Sequence, residues 1–226
     1  PHLTSPHLTS PHLTSPHLTS PPVSLGFHTK GVNLLTFNSD GSKLVSVGVD
    51  DDHSLALWDW RLGKRLASGK GGKSALLSVA MDGDGKTIVA VGVKQVLFFD
   101  VDGRALKSKP GIIGTMGKKQ TFLSATYVHK DAFVGCASGE IYKFSNRRVV
   151  KVIQAHGINE PVNSLRFCHE SGGVISGGRD GLVIVFDRSL KQVGGAIDMA
   201  EDLDGDGEAD NGSVNVAITS AQLSNR

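Results

Sequence analysis

The chain has 226 residues, 39% of them apolar, with 28 Gly, 8 Pro and a formal net charge of +2. That composition excludes collagen, coiled coil and whole-chain disorder, and it fits one turn-rich globular domain. No run approaches about 18 apolar residues, and no basic region followed by an apolar core opens the sequence. Neither a membrane span nor a signal peptide is therefore expected, which implies a soluble intracellular protein. Cys136 and Cys168 have no second pair with which to build a metal site or disulfide framework, so both are expected to be buried thiols in a reducing compartment.

Residues 1–22 are Pro-His-Leu-Thr-Ser written four times and closed by Pro21-Pro22. Proline fixes a torsion at every fifth position and little apolar area is present to offset ordering, so this segment is expected to be a disordered tail. Residues 23–226 are short β-rich runs between Gly/Asp turns, with no convincing helical period.

The runs repeat. The first repeat, about residues 26–69, has a strand ending at Phe37, an Asp40-Gly41 turn, the apolar run Leu44 to Gly48, and Trp58-Asp59. The second, about 73–109, has Met81, an Asp/Gly turn from Asp82 to Lys86, a run from Ile88 to Gly92, and Phe99-Asp100. The third, about 119–153, has Tyr127, the run Phe133 to Ala137, and Phe144-Ser145. The fourth, about 155–197, has Phe167, Gly172-Gly173, the run Val174 to Gly178, and Phe186-Asp187; a fifth begins near residue 213. The terminal aromatics are 41, 45 and 42 residues apart. A period of roughly 40–45 residues with three or four strands is that of a β-propeller blade. The expected fold is all-β, a propeller of about four blades plus the start of a fifth, and so an incomplete ring.

Two repeats carry a polar set suited to a buried network. In the first these are His28, Ser46, Trp58 and a turn carboxylate, Asp50 or Asp52, of which Asp52 is preferred; in the fourth they are His156, Ser176 and Asp180. An Asp accepting from His, with Ser and the indole as further members, would tie strands together, because buried polar groups must be paired. These residues are expected to be structural.

The run from Gly31 to Phe37, the stretch from Ser46 to Trp60 with His53 in its Asp-rich turn, the connector from Gly111 to Thr121 and the run from Val174 to Gly181 together resemble the echinoderm microtubule-associated protein-like family of WD-repeat propellers. The resemblance covers about residues 26–187. It implies tandem propellers and binding to tubulin and microtubules.

Several motifs fall short of their chemistry. Ala67 to Ser74 satisfies a permissive phosphate-loop pattern, but Ala75 to Met81 has the pattern of a strand where the motif requires a helix. Asp202 to Asp210 matches the first part of a calcium loop, yet its twelfth position is Ser213 rather than Glu, which argues for an acidic insertion instead. Asn211-Gly212-Ser213 is a glycosylation triplet by pattern only. No catalytic constellation, cofactor site or metal site is expected.

Between Trp60 and Lys119 twelve Lys/Arg face four Asp, while residues 198–210 hold seven carboxylates and no Lys or Arg. A basic stretch suits an acidic partner. The expected function is a non-enzymatic microtubule-binding protein of the cytoplasmic cytoskeleton, with Arg61, Lys64, Arg65, Lys70, Lys73, Lys118 and Lys119 as contacts placed in turns and connectors. Nucleic acid and membrane are not expected as partners. The alternative is a WD-repeat scaffold for protein complexes without tubulin affinity.

Overall fold

The computed structural model describes residues 24–199; the repeat tail, the acidic stretch with its glycosylation triplet and the beginning of a fifth repeat lie outside the described residues. Sixteen strands follow one another without a helix among the described residues. They form four antiparallel meanders: β1 (Val32–Phe37), β2 (Leu44–Gly48), β3 (Ser54–Asp59) and β4 (Lys64–Lys70), then β5 (Leu76–Met81), β6 (Thr87–Gly92), β7 (Gln95–Asp102) and β8 (Ala105–Pro110). The third is β9 (Phe122–Val128), β10 (Asp131–Cys136), β11 (Glu140–Ser145) and β12 (Arg148–Gln154), and the fourth β13 (Val162–Cys168), β14 (Gly173–Gly178), β15 (Leu182–Phe186) and β16 (Ile197–Asp198). This is an incomplete WD-repeat β-propeller.

The aromatics that set the sequence period occupy one structural position. Trp58, Phe99, Phe144 and Phe186 lie on the third strand of their blades, opposite Leu44, Ile88, Ala132 and Val174 of the second. Because side chains alternate across a strand, each blade has one set of residues for each neighbour. Val45, Val47, Leu55 and Leu57 share a core with Met81, Ile88, Ala90 and Phe99 of the second blade. Phe98 meets Phe144 at a centroid distance of 5.6 Å between the second and third blades. Phe133 and Ile141 pack with Val174, Ile184 and Phe186 between the third and fourth. Burial on both faces accounts for apolar runs such as β6, which do not alternate.

The outward face of the first blade, with Leu44, Ala56 and Trp58, is covered by Leu25 and Phe27 of the lead-in segment and by Trp60, while Leu35 and Phe37 remain 63% and 51% exposed. Four strands, β1, β5, β9 and β13, line an open groove of about 1370 Å³ at the propeller axis. Polar side chains bind these inner strands across blades: the Asn33 amide donates to the Leu76 carbonyl (3.3 Å), the Ala125 N–H to Ser78 Oγ (3.2 Å), and Ser124 Oγ to the Val162 carbonyl (2.8 Å).

The outer strands also meet. β4 and β8 are joined in parallel at Ser68 and Ala105, so the first two blades form one eight-stranded sheet. Gly69 permits this approach, because a Cβ there would stand 2.6 Å from the Leu106 carbonyl oxygen. The Ala67–Ser74 motif therefore runs from an outer strand through an exposed link into β5, with no helix N-terminus to receive a phosphate. We expect Gly69→Ala to lower stability by about 1–3 kcal/mol through this overpacking. Gly195→Ala, at a site with open space around it, should leave the melting temperature almost unchanged. Thermal unfolding of the two variants checks the assignment.

Candidate functional site

The described residues offer two polar assemblies: networks at one end of the blades, and the exposed cations. In the first blade Trp58 Nε1 donates to Ser46 Oγ (2.8 Å), and Ser46 Oγ lies 2.7 Å from His28 Nε2. His28 Nδ1 lies 2.9 Å from Ser54 Oγ, which donates to the Asp50 carboxylate. With Ser54 donating to Asp50, the consistent proton order runs from indole to Ser46 to His28, and from His28 Nδ1–H to Ser54 to Asp50.

The carboxylate is therefore Asp50 and not Asp52, which corrects the preference for Asp52. The backbone turn explains the difference: Asp50 Oδ1 also accepts the Ser54 N–H (2.8 Å), closing the turn, whereas Asp52 is half exposed and pairs with Lys70 Nζ at 2.7 Å. Burial holds the His28 pKa below its ordinary value, with Asp50 pulling the other way. Burial also opposes the charge on Asp50, but hydrogen bonds from the Ser54 hydroxyl and amide, with His28 nearby, outweigh it and keep its pKa low.

The fourth blade repeats the theme with fewer members. His156 Nδ1 lies 2.9 Å from Asp180 Oδ1 and Nε2 lies 2.9 Å from Ser176 Oγ, while Phe186 stands where the indole would be. The glycines ending β2 and β14 make room for the imidazoles: a Cβ on Gly48 would lie 2.5 Å from His28 Nδ1, and one on Gly178 would lie 2.3 Å from His156 Nδ1.

The middle blades solve the same problem differently. In the third, Glu140 Oε2 accepts from the Gln120 amide and Ser138 Oγ, both at 2.8 Å, and Tyr142 OH accepts the Lys118 N–H at 3.0 Å. In the second, β6 and β7 are joined by only Val93 and Lys94, and the Gln95 amide donates to the Ser74 carbonyl at 2.9 Å. In every blade, then, a side chain from the turn or start of the third strand pins the segment that leads into the inner strand. Glu140, Gln120, Tyr142 and Gln95 were not identified from sequence, because they share the task without sharing residue types.

The seven basic candidates are all exposed but do not form one patch. Arg61 lies in the β3–β4 turn with its guanidinium 5.3 Å from the Trp60 ring centroid. Lys64, Arg65 and Lys70 are on strand β4, not in turns or connectors, which corrects that expectation; a Lys-rich strand interrupted by Gly69 reads locally as a loop. Arg65 stacks over Phe27 at 4.4 Å. Lys73, Lys118 and Lys119 lie in links between blades, at the opposite end from Arg61. Among the described residues, no cluster of His, Cys, Asp and Glu is arranged to hold a metal ion.

Comparison with known proteins places this geometry. The family model described as the echinoderm microtubule-associated protein first beta-propeller matches residues 17–216. The chain belongs to this family. It is 27% identical over 178 residues to echinoderm microtubule-associated protein-like 1 of Rattus norvegicus, covering 76% of this chain and 22% of that protein. It is 28% identical over 155 residues to the ciliary WD repeat-containing protein ctxp80 of Euplotoides octocarinatus, covering 67% and 21%. The chain thus spans about a fifth of the length of these relatives. Among solved structures, the RRP9 WD40 repeats superpose with a TM-score of 0.57 at 18% identity, covering 75% of this chain and 52% of that one, and U3-55K with 0.58 at 19%, covering 77% and 56%. Four blades amount to about half of those propellers.

Two stability measurements test the networks. Asp180→Ala and Asp50→Ala should each cost about 1–3 kcal/mol by leaving buried partners unpaired, whereas Asp52→Ala should change stability by no more than about 1 kcal/mol, the range of an exposed pair. Because the folded-state pKa of His28 is lowered, the unfolded chain takes up the proton more readily. The His28 contribution is thus present above about pH 6.5 and declines as pH falls below it. Melting temperature should drop between pH 7.5 and 5.5, and this drop should be smaller in His28→Gln.

Proposed function

We propose that the protein binds microtubules and acts in organising the microtubule cytoskeleton of the cytoplasm, as a scaffold without enzymatic activity. The observation that carries this reading is the family match across residues 17–216, whose relatives bear microtubule-associated names. The exposed cations agree with it. Tubulin's outer surface and tails are acidic, and Arg61, Lys64, Arg65, Lys70, Lys73, Lys118 and Lys119 all face solvent, where they can reach such a partner.

Co-sedimentation with taxol-stabilised microtubules tests the reading. Attraction between exposed charges is screened within roughly 8–10 Å at physiological salt, so the bound fraction should fall several-fold from low to moderate salt. Failure to sediment with microtubules at low salt would overturn the proposal.

A further inference from the structure

Charge in the first three blades is layered by radius, whereas in the fourth the inner strand carries Arg166 and the outer strand Asp198. The inner strands β1, β5 and β9 contain no charged residue. The outer strands of the same blades, β4, β8 and β12, carry seven Lys or Arg and no carboxylate. Three of those cations are neutralised by neighbours: Lys70 by Asp52, Lys107 by Asp102 and Lys109 by Asp100. Lys64, Arg65 and Arg148 have no ion pair among the described residues.

Backbone bonds make these strands one surface. The Ser68 N–H donates to the Arg104 carbonyl (3.1 Å) where β4 meets β8. Just past β8, Ile112 forms a parallel bridge with Arg148 at the start of β12: its N–H donates to the Arg147 carbonyl (2.7 Å) and its carbonyl accepts the Val149 N–H (2.9 Å). Consecutive outer strands are thereby stitched together over three blades, and their cations stand on a continuous rim. At the ends of the blades Asp51 answers Lys30, and Asp82 and Asp84 answer Lys130, while Arg61, Lys73, Lys118 and Lys119, which have no ion pair among the described residues, stand in separate turns and links.

We infer that this rim, from β4 to β12, is a docking surface for an extended acidic polypeptide, with Lys64 and Arg148 as its uncommitted contacts. The inference rests on the microtubule reading for the source of such a polypeptide, and it moves the contact away from Lys73, Lys118 and Lys119. Lysines on an outer strand also keep that edge from pairing with other chains. The two roles separate under charge reversal, since Glu guards an edge as well as Lys but repels an acidic partner.

The experiment uses the full chain, a labelled polyglutamate of about 30 residues read by fluorescence anisotropy, and intact microtubules. Lys64→Glu with Arg148→Glu should weaken polyglutamate binding at least tenfold at unchanged melting temperature. The triple change Lys73→Glu, Lys118→Glu and Lys119→Glu should weaken it less than about threefold. If the reversed rim fails to fold, Lys64→Gln with Arg148→Gln supplies the same comparison. Undiminished binding by the rim variant, or an equal loss in both sets, would overturn the rim. So would tighter binding to duplex DNA or to phosphatidylserine vesicles than to polyglutamate at the same salt. Rim-dependent polyglutamate binding without microtubule sedimentation would sustain the rim and refute the microtubule reading; sedimentation indifferent to the rim variant would do the reverse.

Discussion

A four-stranded blade has two apolar faces and can bury neither of them alone. Its second and third strands offer Val45 and Val47 to one side and Leu44 with Trp58 to the other, so each blade takes part of its stability from the next. Other features serve this stacking. The third-strand aromatics share one register because each faces the side of the preceding blade, which for Trp58 is taken by the lead-in segment, and residues at the turns hold adjacent blades in place. Lys43 Nζ reaches the Gly85 carbonyl (3.3 Å), Lys130 Nζ the Asp82 carboxylate (3.3 Å) and Arg188 Nη2 the Asp131 carboxylate (3.1 Å), each crossing from one blade to another. Where the stack ends at the first blade, Leu25 and Phe27 of the lead-in segment take over part of a neighbour's role.

Stacking alone does not fix where each inner strand enters, and the polar networks do. A segment arriving from the outer strand of the preceding blade must be anchored beside the turn between the second and third strands. His28 and His156 do this through Asp50 and Asp180, Gln120 through Glu140, and the Ser74 carbonyl through Gln95. The fully apolar route is closed because these segments bring backbone N–H and C=O groups into partly buried surroundings. Any donor–acceptor pair with suitable reach suffices, which is why the four blades diverge in sequence while keeping one geometry.

This division explains what the sequence disclosed. Apolar runs and the spacing of Trp58, Phe99, Phe144 and Phe186 report blade stacking, which tolerates little variety, so fold and strand order were legible from them. The choice between Asp50 and Asp52 was not, because it depends on which carboxylate closes the turn onto the Ser54 N–H, and two neighbours in an Asp-rich turn look alike in one dimension. Glu140 and Tyr142 were invisible for the reason just given. Strand β4 was misread as a loop because a strand next to solvent carries Lys and Gly where an inner strand carries Val. The parallel bridges at Ser68 and Ile112 join residues more than 30 positions apart and leave no local pattern.

The same radial logic constrains where a partner can bind. Inner strands are committed to the axis and to inter-blade bonds, and the blade faces to each other, so a contact built there would compete with folding. Several charges at the blade ends already hold blades together, as Lys130 does with Asp82 and Arg188 with Asp131. Outer strands have only one neighbour within their blade, and they are the least constrained by packing. Lys64 and Arg148 can vary in charge with little effect on the core, and the backbone stitches hold them on one surface. A rim of this kind separates recognition from stability: charge there sets the partner, while the apolar layers beneath set the fold.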